Sequence, residues 1–242
     1  MKYEGTFIVR ADEVTPDKMM SVPAMIRLMQ EGSMQNSLEH KFSVWDMEAD
    51  GISWVLLRKK LIIYKYPKLS EKVKVVTYPI TTERILANRD YKLYDNSDRL
   101  LATASSTWTI INLKSRKLER IPQKFKNMVA PEGEEILDPP SSKFQRPDEY
   151  DYSSEFSPQF FDTDWNDHVN NIYFIKSMIE STPQHILKSM KIKELTYHIR
   201  SESLLGDCLV VGGVGIDEKT HLFEIKNKSS NKAISYGEIK WI

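Results

Sequence analysis

Residues 163–173 concentrate side chains that can carry out acid–base chemistry. Asp164, Asn166 and His168 stand at positions i, i+2 and i+4, and an apolar segment of helical period follows them directly. The carboxylate and the imidazole can act as general acids or bases, and the carboxamide can orient them. A helix beginning here would add unpaired backbone N–H groups, which can polarise a carbonyl oxygen. The spacing therefore predicts a site for chemistry at a carbonyl group.

The elements that must position this site occur in the same order in each half of the chain. Ser21 before Pro23 predicts the start of a helix, and strand-like runs separated by turn signals follow it at 53–66, 72–78, 84–94 and 100–112. In the second half, Phe156–Phe161 is strand-like and a helix is expected before Pro183. Further strand-like runs then span 194–201, 208–215, 221–226 and 233–242. One helix and several antiparallel strands per half predict an α+β fold.

Matching residues indicate that the two halves are copies of one fold. Val22 matches Val169 at an offset of 147 residues, and Leu69 matches Leu205 at an offset of 136. Shorter hairpin loops in the second copy would explain the falling offset. We predict an N-terminal repeat over residues 1–125, a linker over 126–152 that is rich in Pro, Glu, Asp and Ser, and a C-terminal repeat over 153–242.

Composition excludes several classes of protein. A hydrophobic content of 40% and a charged content of 28% are typical of a globular chain with a substantial core. The net charge of +0 gives no general attraction to nucleic acid, and no apolar run is long enough to span a membrane. The N-terminus is not typical of a signal or transit peptide, and the single Cys208 favours a reducing compartment. We expect a cytoplasmic protein, with a homodimer as one of the open oligomeric states.

The segment around His168 is one of several motifs that resemble a known family. The motifs read Asp164-Trp165-Asn166-Asp167-His168-Val169-Asn170-Asn171, Trp54-Val55-Leu56-Leu57-Arg58, Ala104-Ser105-Ser106-Thr107-Trp108 and Glu202-Ser203-Leu204-Leu205-Gly206-Asp207. Together they resemble the acyl-acyl carrier protein (acyl-ACP) thioesterases, which comprise plant plastid enzymes and their bacterial relatives. The resemblance covers nearly the whole chain.

The resemblance implies a fold, a reaction and a partner. The implied fold is a tandem hot-dog, in which each repeat is a long helix wrapped by an antiparallel sheet. The implied reaction is hydrolysis of the thioester of fatty acyl-ACP, with acyl carrier protein as partner and no metal or organic cofactor. The implied catalytic residues are Asp164, Asn166, His168 and Glu202. An acyl-CoA thioesterase and a non-enzymatic acyl-binding module are the alternatives.

Two routes of hydrolysis are open at this point. In the preferred one, Glu202 and His168 activate water while Asn166 and Asp164 orient the network; in the other, Asp164 attacks the thioester directly. Cys208 could act as a nucleophile, but it lies in a strand-like run, where an inert thiol is more common. We therefore predict that Cys208 is not catalytic.

The first half is predicted to be non-catalytic. At the offset of 147, Asp17, Met19 and Ser21 take the places of Asp164, Asn166 and His168, and at the offset of 136 Tyr66 takes the place of Glu202. The Met-rich helix of this half suits an adaptable acyl-chain pocket, which is also where the resemblance places chain-length selection.

Acyl carrier protein is acidic, so its docking surface should be basic. Two clusters of basic residues are candidates for that surface. The first cluster is Lys114, Arg116, Lys117, Arg120, Lys124 and Lys126, and the second is Arg58, Lys59, Lys60, Lys65 and Lys68.

Overall fold

The computed structural model describes residues 1–126 and 128–242, which form two compact units, Met1–Pro140 and Ser141–Ile242. Asn127, within the predicted linker, lies outside the described residues. Among the described residues, no helix combines the length and the apolar character that a membrane crossing requires.

The first unit contains one long helix and an antiparallel sheet. Its elements are β1 (Tyr3–Ile8), α1 (Val22–Glu39), α2 (Val44–Ala49), β2 (Ile52–Ile63), β3 (Lys72–Thr82), β4 (Ala87–Asp95), β5 (Leu100–Asn112) and β6 (Leu118–Glu119). The strands are ordered β1-β3-β4-β5-β2, and β6 pairs with β5. The predicted strands are confirmed, whereas α2 was not predicted because six residues give too short a periodic signal.

Helix α1 begins where the sequence predicts and lies on the sheet. The hydroxyl of Ser21 accepts a hydrogen bond from the Ala24 N–H, and Pro23 occupies the first turn. Met25 and Met29 are fully buried, and burial of side chains of this size stabilises the fold by roughly 1.5–3 kcal/mol each. A Cβ at Gly32 would lie 3.0 Å from Cγ1 of Val75, so glycine permits the close approach of α1 to β3.

The second unit repeats this order of elements. It contains β7 (Tyr152–Phe156), α3 (Asn171–Ser181), α4 (Gln184–Ser189), β8 (Ile192–Ile199), β9 (Leu209–Gly215), β10 (Thr220–Asn227) and β11 (Ala233–Trp241). Its strand order, β7-β9-β10-β11-β8, corresponds strand for strand to that of the first unit. The predicted α+β class and the internal duplication are confirmed.

In the second unit, one local expectation is wrong, and the helix predicted before Pro183 is confirmed. The strand predicted at Phe156–Phe161 ends at Phe156, and Phe160–Asp162 forms a short 3-10 helix instead. Helix α3 has 11 residues, against 18 in α1. Thr182 is extended (φ −63°, ψ 139°) because the residue before Pro183 is disfavoured in the helical conformation.

The boundary between the units falls inside the predicted linker, and each part of this segment contacts its own unit. The hydroxyl of Tyr78 donates to the carbonyl of Glu135 (2.9 Å), and the N–H of Leu137 donates to Oδ2 of Asp90 (2.7 Å). In the other unit, the ring of Phe144 stacks on Tyr236 at 5.6 Å between centroids. Residues around the boundary therefore cover the strands of their own unit rather than only connecting the two units.

Burial of Asp90 makes the stability of the first unit depend on pH. Burial raises the pKa of Asp90 to about 6, although the hydrogen bond from Leu137 opposes that shift. As the pH rises from about 4 to about 6, the unfolded chain loses this proton before the folded chain does. The free energy of unfolding therefore falls across this window because the folded state must hold a buried carboxylate.

We expect Asp90→Asn to raise the free energy of unfolding relative to wild type, and to do so more at pH 8 than at pH 4. The difference between the two pH values should be about 2–3 kcal/mol, because each pKa unit corresponds to about 1.4 kcal/mol. Urea unfolding at the two pH values measures this difference. Asp138→Asn, at an exposed position of the same segment, is the matched control. Equal effects of Asp90→Asn at the two pH values would contradict the assignment.

Candidate active site

A tight turn just before α3 holds three of the four predicted site residues. The N–H of Asp164 donates to the carbonyl of His168 (2.8 Å), and Thr163 and Val169 form an antiparallel bridge that closes the turn. Asp167 lies in the left-handed region, with φ +58°, which reverses the chain direction. Backbone hydrogen bonds thus define the turn.

The carboxylate of Asp164 stabilises the turn from inside. Its Oδ1 accepts hydrogen bonds from the backbone N–H groups of Asn166 (2.8 Å) and His168 (3.4 Å). An Asp that accepts backbone bonds two and four residues ahead fixes the loop conformation. Asp164 therefore positions Asn166 and His168, whatever further part it plays.

Backbone pairing brings Glu202 beside His168. The N–H of Val169 donates to the carbonyl of Ser203 (2.8 Å), and His168 forms a bridge with Leu204. Nε2 of His168 then lies 3.4 Å from Oε2 of Glu202. The two side chains are 26% and 47% exposed, so water and substrate can reach the pair.

A second turn supports Glu202, and its role was not predicted from the sequence. Oδ2 of Asp207 accepts from the hydroxyl of Ser203 (2.7 Å) and from the N–H of Leu204 (2.9 Å), and Gly206 has φ +92°. Burial raises the pKa of Asp207, but the bonds from Leu204, Ser203 and Asn227 outweigh burial and hold it below its ordinary value. The Gly206-Asp207 pair was the available turn signal.

At the start of α3, two of the N–H groups that the sequence predicted to be unpaired have partners, those of Ile172 and Tyr173. Asn170 is the N-cap, and its Oδ1 accepts from the N–H of Ile172 (2.9 Å). The N–H of Tyr173 donates to the carbonyl of Asn170 (2.8 Å). By contrast, within the described chain the carboxamide of Asn166 makes no hydrogen bond, so its N–H groups are available to a carbonyl oxygen.

The first unit contains the same pair of turns with different side chains. The N–H of Thr15 donates to the carbonyl of Met19 (2.9 Å), and the N–H of Met20 donates to the carbonyl of Pro67 (2.8 Å). These bonds reproduce the Asp164–His168 and Val169–Ser203 bonds of the second unit. The backbone of the site is therefore common to both repeats.

This correspondence corrects the alignment inferred from sequence. The offset across the turn is 149 residues rather than 147, so Asp164, Asn166 and His168 are matched by Thr15, Asp17 and Met19. The match of Glu202 to Tyr66 remains, because Met19 bridges Lys68 as His168 bridges Leu204. Asp17 is thus no counterpart of Asp164, and none of the four site residues recurs in the first unit.

Cys208 lies outside the His168–Glu202 pair. Its Sγ is 3.8 Å from Oε2 of Glu155, whose carboxylate also binds Nζ of Lys228 at 2.7 Å. Among the described residues, no group of three or more His, Cys, Asp or Glu side chains could hold a metal ion.

The two basic clusters differ in exposure. All six residues of the first cluster are exposed, and Lys124 forms an ion pair with Asp50. In the second cluster, Lys59 is buried, with 1% exposure, because its ammonium group lies over the ring of Tyr91. Lys59 was therefore wrongly assigned to a surface cluster.

Comparison with known proteins identifies the family. The model of the acyl-ACP thioesterase N-terminal domain matches residues 1–129, and that of the C-terminal domain matches residues 145–242. A palmitoyl-acyl carrier protein thioesterase of Cuphea hookeriana is 26% identical over 213 residues, covering 83% of this chain and 51% of the relative. An oleoyl-acyl carrier protein thioesterase of Arabidopsis thaliana is 28% identical over 222 residues, covering 83% of this chain and 59% of the relative. The chain thus spans about half the length of the curated relatives it matches.

Solved structures show the same fold along the whole chain. An acyl-ACP thioesterase from Bacteroides thetaiotaomicron superposes with a TM-score of 0.89 at 19% identity, covering 100% of this chain and 98% of the other. The 12:0-ACP thioesterase from Umbellularia californica gives 0.87 at 22% identity, covering 100% and 97%. These likenesses confirm the tandem hot-dog fold. Because the two domain models together match most of the sequence, this chain belongs to the acyl-ACP thioesterase family.

Proposed function

We propose that this protein hydrolyses the thioester of fatty acyl-ACP, releasing the free fatty acid and the carrier thiol. The observation that carries the proposal is the accessible His168–Glu202 pair, 3.4 Å apart, beside a turn that Asp164 holds in place. The names of the similar plant thioesterases, which act on palmitoyl and oleoyl carrier protein, support this choice of substrate.

The geometry supports attack by water. The His168–Glu202 pair accepts a proton from water while the water oxygen bonds to the thioester carbonyl carbon. The free carboxamide of Asn166 donates to the carbonyl oxygen as negative charge develops on it. When the C–S bond breaks, the sulfur leaves with the electron pair and takes the proton from the imidazolium, giving a thiol and a carboxylic acid.

His168→Ala and Glu202→Gln should each lower kcat on acyl-ACP by at least about 100-fold, because proton transfer by a positioned group contributes this much or more. Cys208→Ala should retain most of the activity and serves as the matched control. Thermal unfolding of each variant checks that its fold is intact. A folded Cys208→Ala variant without activity would refute the assignment.

Water attack and direct attack by Asp164 can be separated by isotope labelling. Because Oδ1 of Asp164 already accepts two backbone hydrogen bonds, we expect this carboxylate to stay unlabelled. After a single turnover in heavy-oxygen water, mass spectrometry should find the label in the fatty acid. Label in Asp164 would instead establish an anhydride intermediate.

Discrimination between carrier protein and CoA should depend on the first basic cluster, Lys114, Arg116, Lys117, Arg120, Lys124 and Lys126. Lys117→Glu with Arg120→Glu should reduce kcat/KM for acyl-ACP about tenfold at low salt, through slower association. The same acyl group on CoA should be turned over as in wild type.

Lys219→Glu with Lys232→Glu, at two exposed positions of the other unit, changes the net charge equally and is the control. An equal loss on both substrates would place the cluster outside carrier recognition. Equal turnover of both substrates by the wild type would favour an acyl-CoA thioesterase. No turnover of either would favour the acyl-binding module.

A further inference from the structure

Five large apolar side chains are exposed on the two turns of the proposed site and on the 3-10 helix that precedes them. This apolar patch consists of Phe160, Phe161, Trp165, Leu204 and Leu205. Phe161 is 95% exposed and Trp165 is 64% exposed. The rings of Phe160 and Phe161 meet edge to face, at 5.4 Å between centroids. Clustered apolar side chains that face water mark surfaces that bind a protein or a membrane.

Backbone contacts hold the members of the patch close to the proposed site. The N–H of Thr163 donates to the carbonyl of Phe160 (3.3 Å), which fixes the backbone that carries the two rings. Trp165 lies within the next turn, and Leu204 forms the bridge with His168. The patch therefore borders the proposed catalytic pair.

The first unit shows that the fold does not require these apolar side chains. The N–H of Ser21 donates to the carbonyl of Glu13 (2.8 Å). Asn170 donates in the same way to Asp162 (2.8 Å), so the offset of 149 residues extends to the 3-10 helices. At the offsets of 149 and 136, the residues equivalent to the patch, in the order given above, are Ala11, Asp12, Pro16, Lys68 and Leu69. Only the last of these is a large apolar residue, so the patch belongs to the second repeat alone.

The surroundings of the patch are acidic. Residues 157–170 and 201–208 contain no Lys or Arg, and their acidic residues are Asp162, Asp164, Asp167, Glu202 and Asp207. This charge disfavours docking of the acidic carrier protein here, and it disfavours pairing with the same patch of a second copy.

A bilayer of zwitterionic phospholipid is complementary to both properties of this surface. The ammonium groups of its headgroups lie outermost and can face the carboxylates. The hydrocarbon beneath them can accept the apolar rings. Tryptophan in particular favours the boundary between headgroups and hydrocarbon.

We propose that the apolar patch inserts into the surface of a bilayer rich in zwitterionic phospholipid. Phe160, Phe161 and Trp165 supply the inserted rings, and burial of their apolar surface drives the attachment. The inference rests on the proposed function only in that a fatty acid released beside the patch would enter the bilayer directly. Attachment itself needs neither His168 nor Glu202.

Cosedimentation of the full chain with phosphatidylcholine vesicles tests the proposal without a variant. The protein should bind these vesicles, and added salt should leave most of the binding intact because apolar insertion is not screened. Absence of binding would overturn the proposal. Binding that occurs only on phosphatidylglycerol vesicles and disappears with salt would place the attachment at a basic surface instead, and would also overturn it.

Phe160→Ser with Phe161→Ser tests the residues. The partition coefficient on phosphatidylcholine vesicles should fall at least about tenfold, because two side chains that supply buried apolar surface are removed. Thermal unfolding should be unchanged, since both side chains are exposed. Trp45→Ser with Leu118→Ser, at two positions of the first unit that are each 62% exposed, is the matched control and should bind as wild type does. Equal binding by the Phe variant and wild type, or an equal loss in the control, would contradict the assignment.

His168→Ala separates this inference from the proposed function. The variant should bind the vesicles as wild type does while losing hydrolysis. Loss of vesicle binding in a folded His168→Ala variant would overturn the inference, whereas retained hydrolysis would contradict only the proposed reaction. If the Phe variant kept vesicle binding but lost kcat/KM on acyl-ACP, the patch would be a substrate surface and the inference would fail.

Discussion

The candidate site depends on one backbone hydrogen bond, from the N–H of Val169 to the carbonyl of Ser203 (2.8 Å). It joins two turns that are distant in sequence and thereby places His168 beside Glu202. A carboxylate fixes the conformation of each turn: Asp164 in the first and Asp207 in the second. Backbone groups thus set the separation of His168 and Glu202, the side chains that we propose to transfer protons.

The first unit shows that this backbone arrangement does not depend on the side chains of His168 and Glu202. Met20 and Pro67 form the equivalent hydrogen bond, and left-handed residues recur at Lys18 (φ +62°) and Ser70 (φ +66°). A carboxylate recurs too, since Oε2 of Glu71 accepts from the N–H of Lys68 (2.8 Å). The two repeats therefore share one backbone scaffold. It carries Met19 and Tyr66 in the first repeat and His168 and Glu202 at the equivalent positions of the second.

Sequence periodicity predicted the strands, the helix starting after Ser21 and the duplication, because apolar spacing and turn residues act locally. The end of α3 before Pro183 was predicted as well, because the residue before a proline is disfavoured in the helical conformation. The offset of 147 was wrong because it aligned apolar residues across a turn whose register is set by hydrogen bonds. The burial of Lys59 was not predicted either, because the sequence of a basic run does not show which of its side chains faces a helix.

The two units differ in how they hold charge. His168 and Glu202 are both partly exposed, so neither side chain is held in the apolar interior. Lys59 and Arg89 are buried, and guanidinium does not lose its proton in proteins, so the first unit keeps a fixed positive field. The proton transfer that we propose for the second unit requires side chains that water can reach, whereas a guanidinium held in the interior keeps its charge. The shared scaffold thus holds partly exposed ionisable groups in one copy and a buried permanent charge in the other.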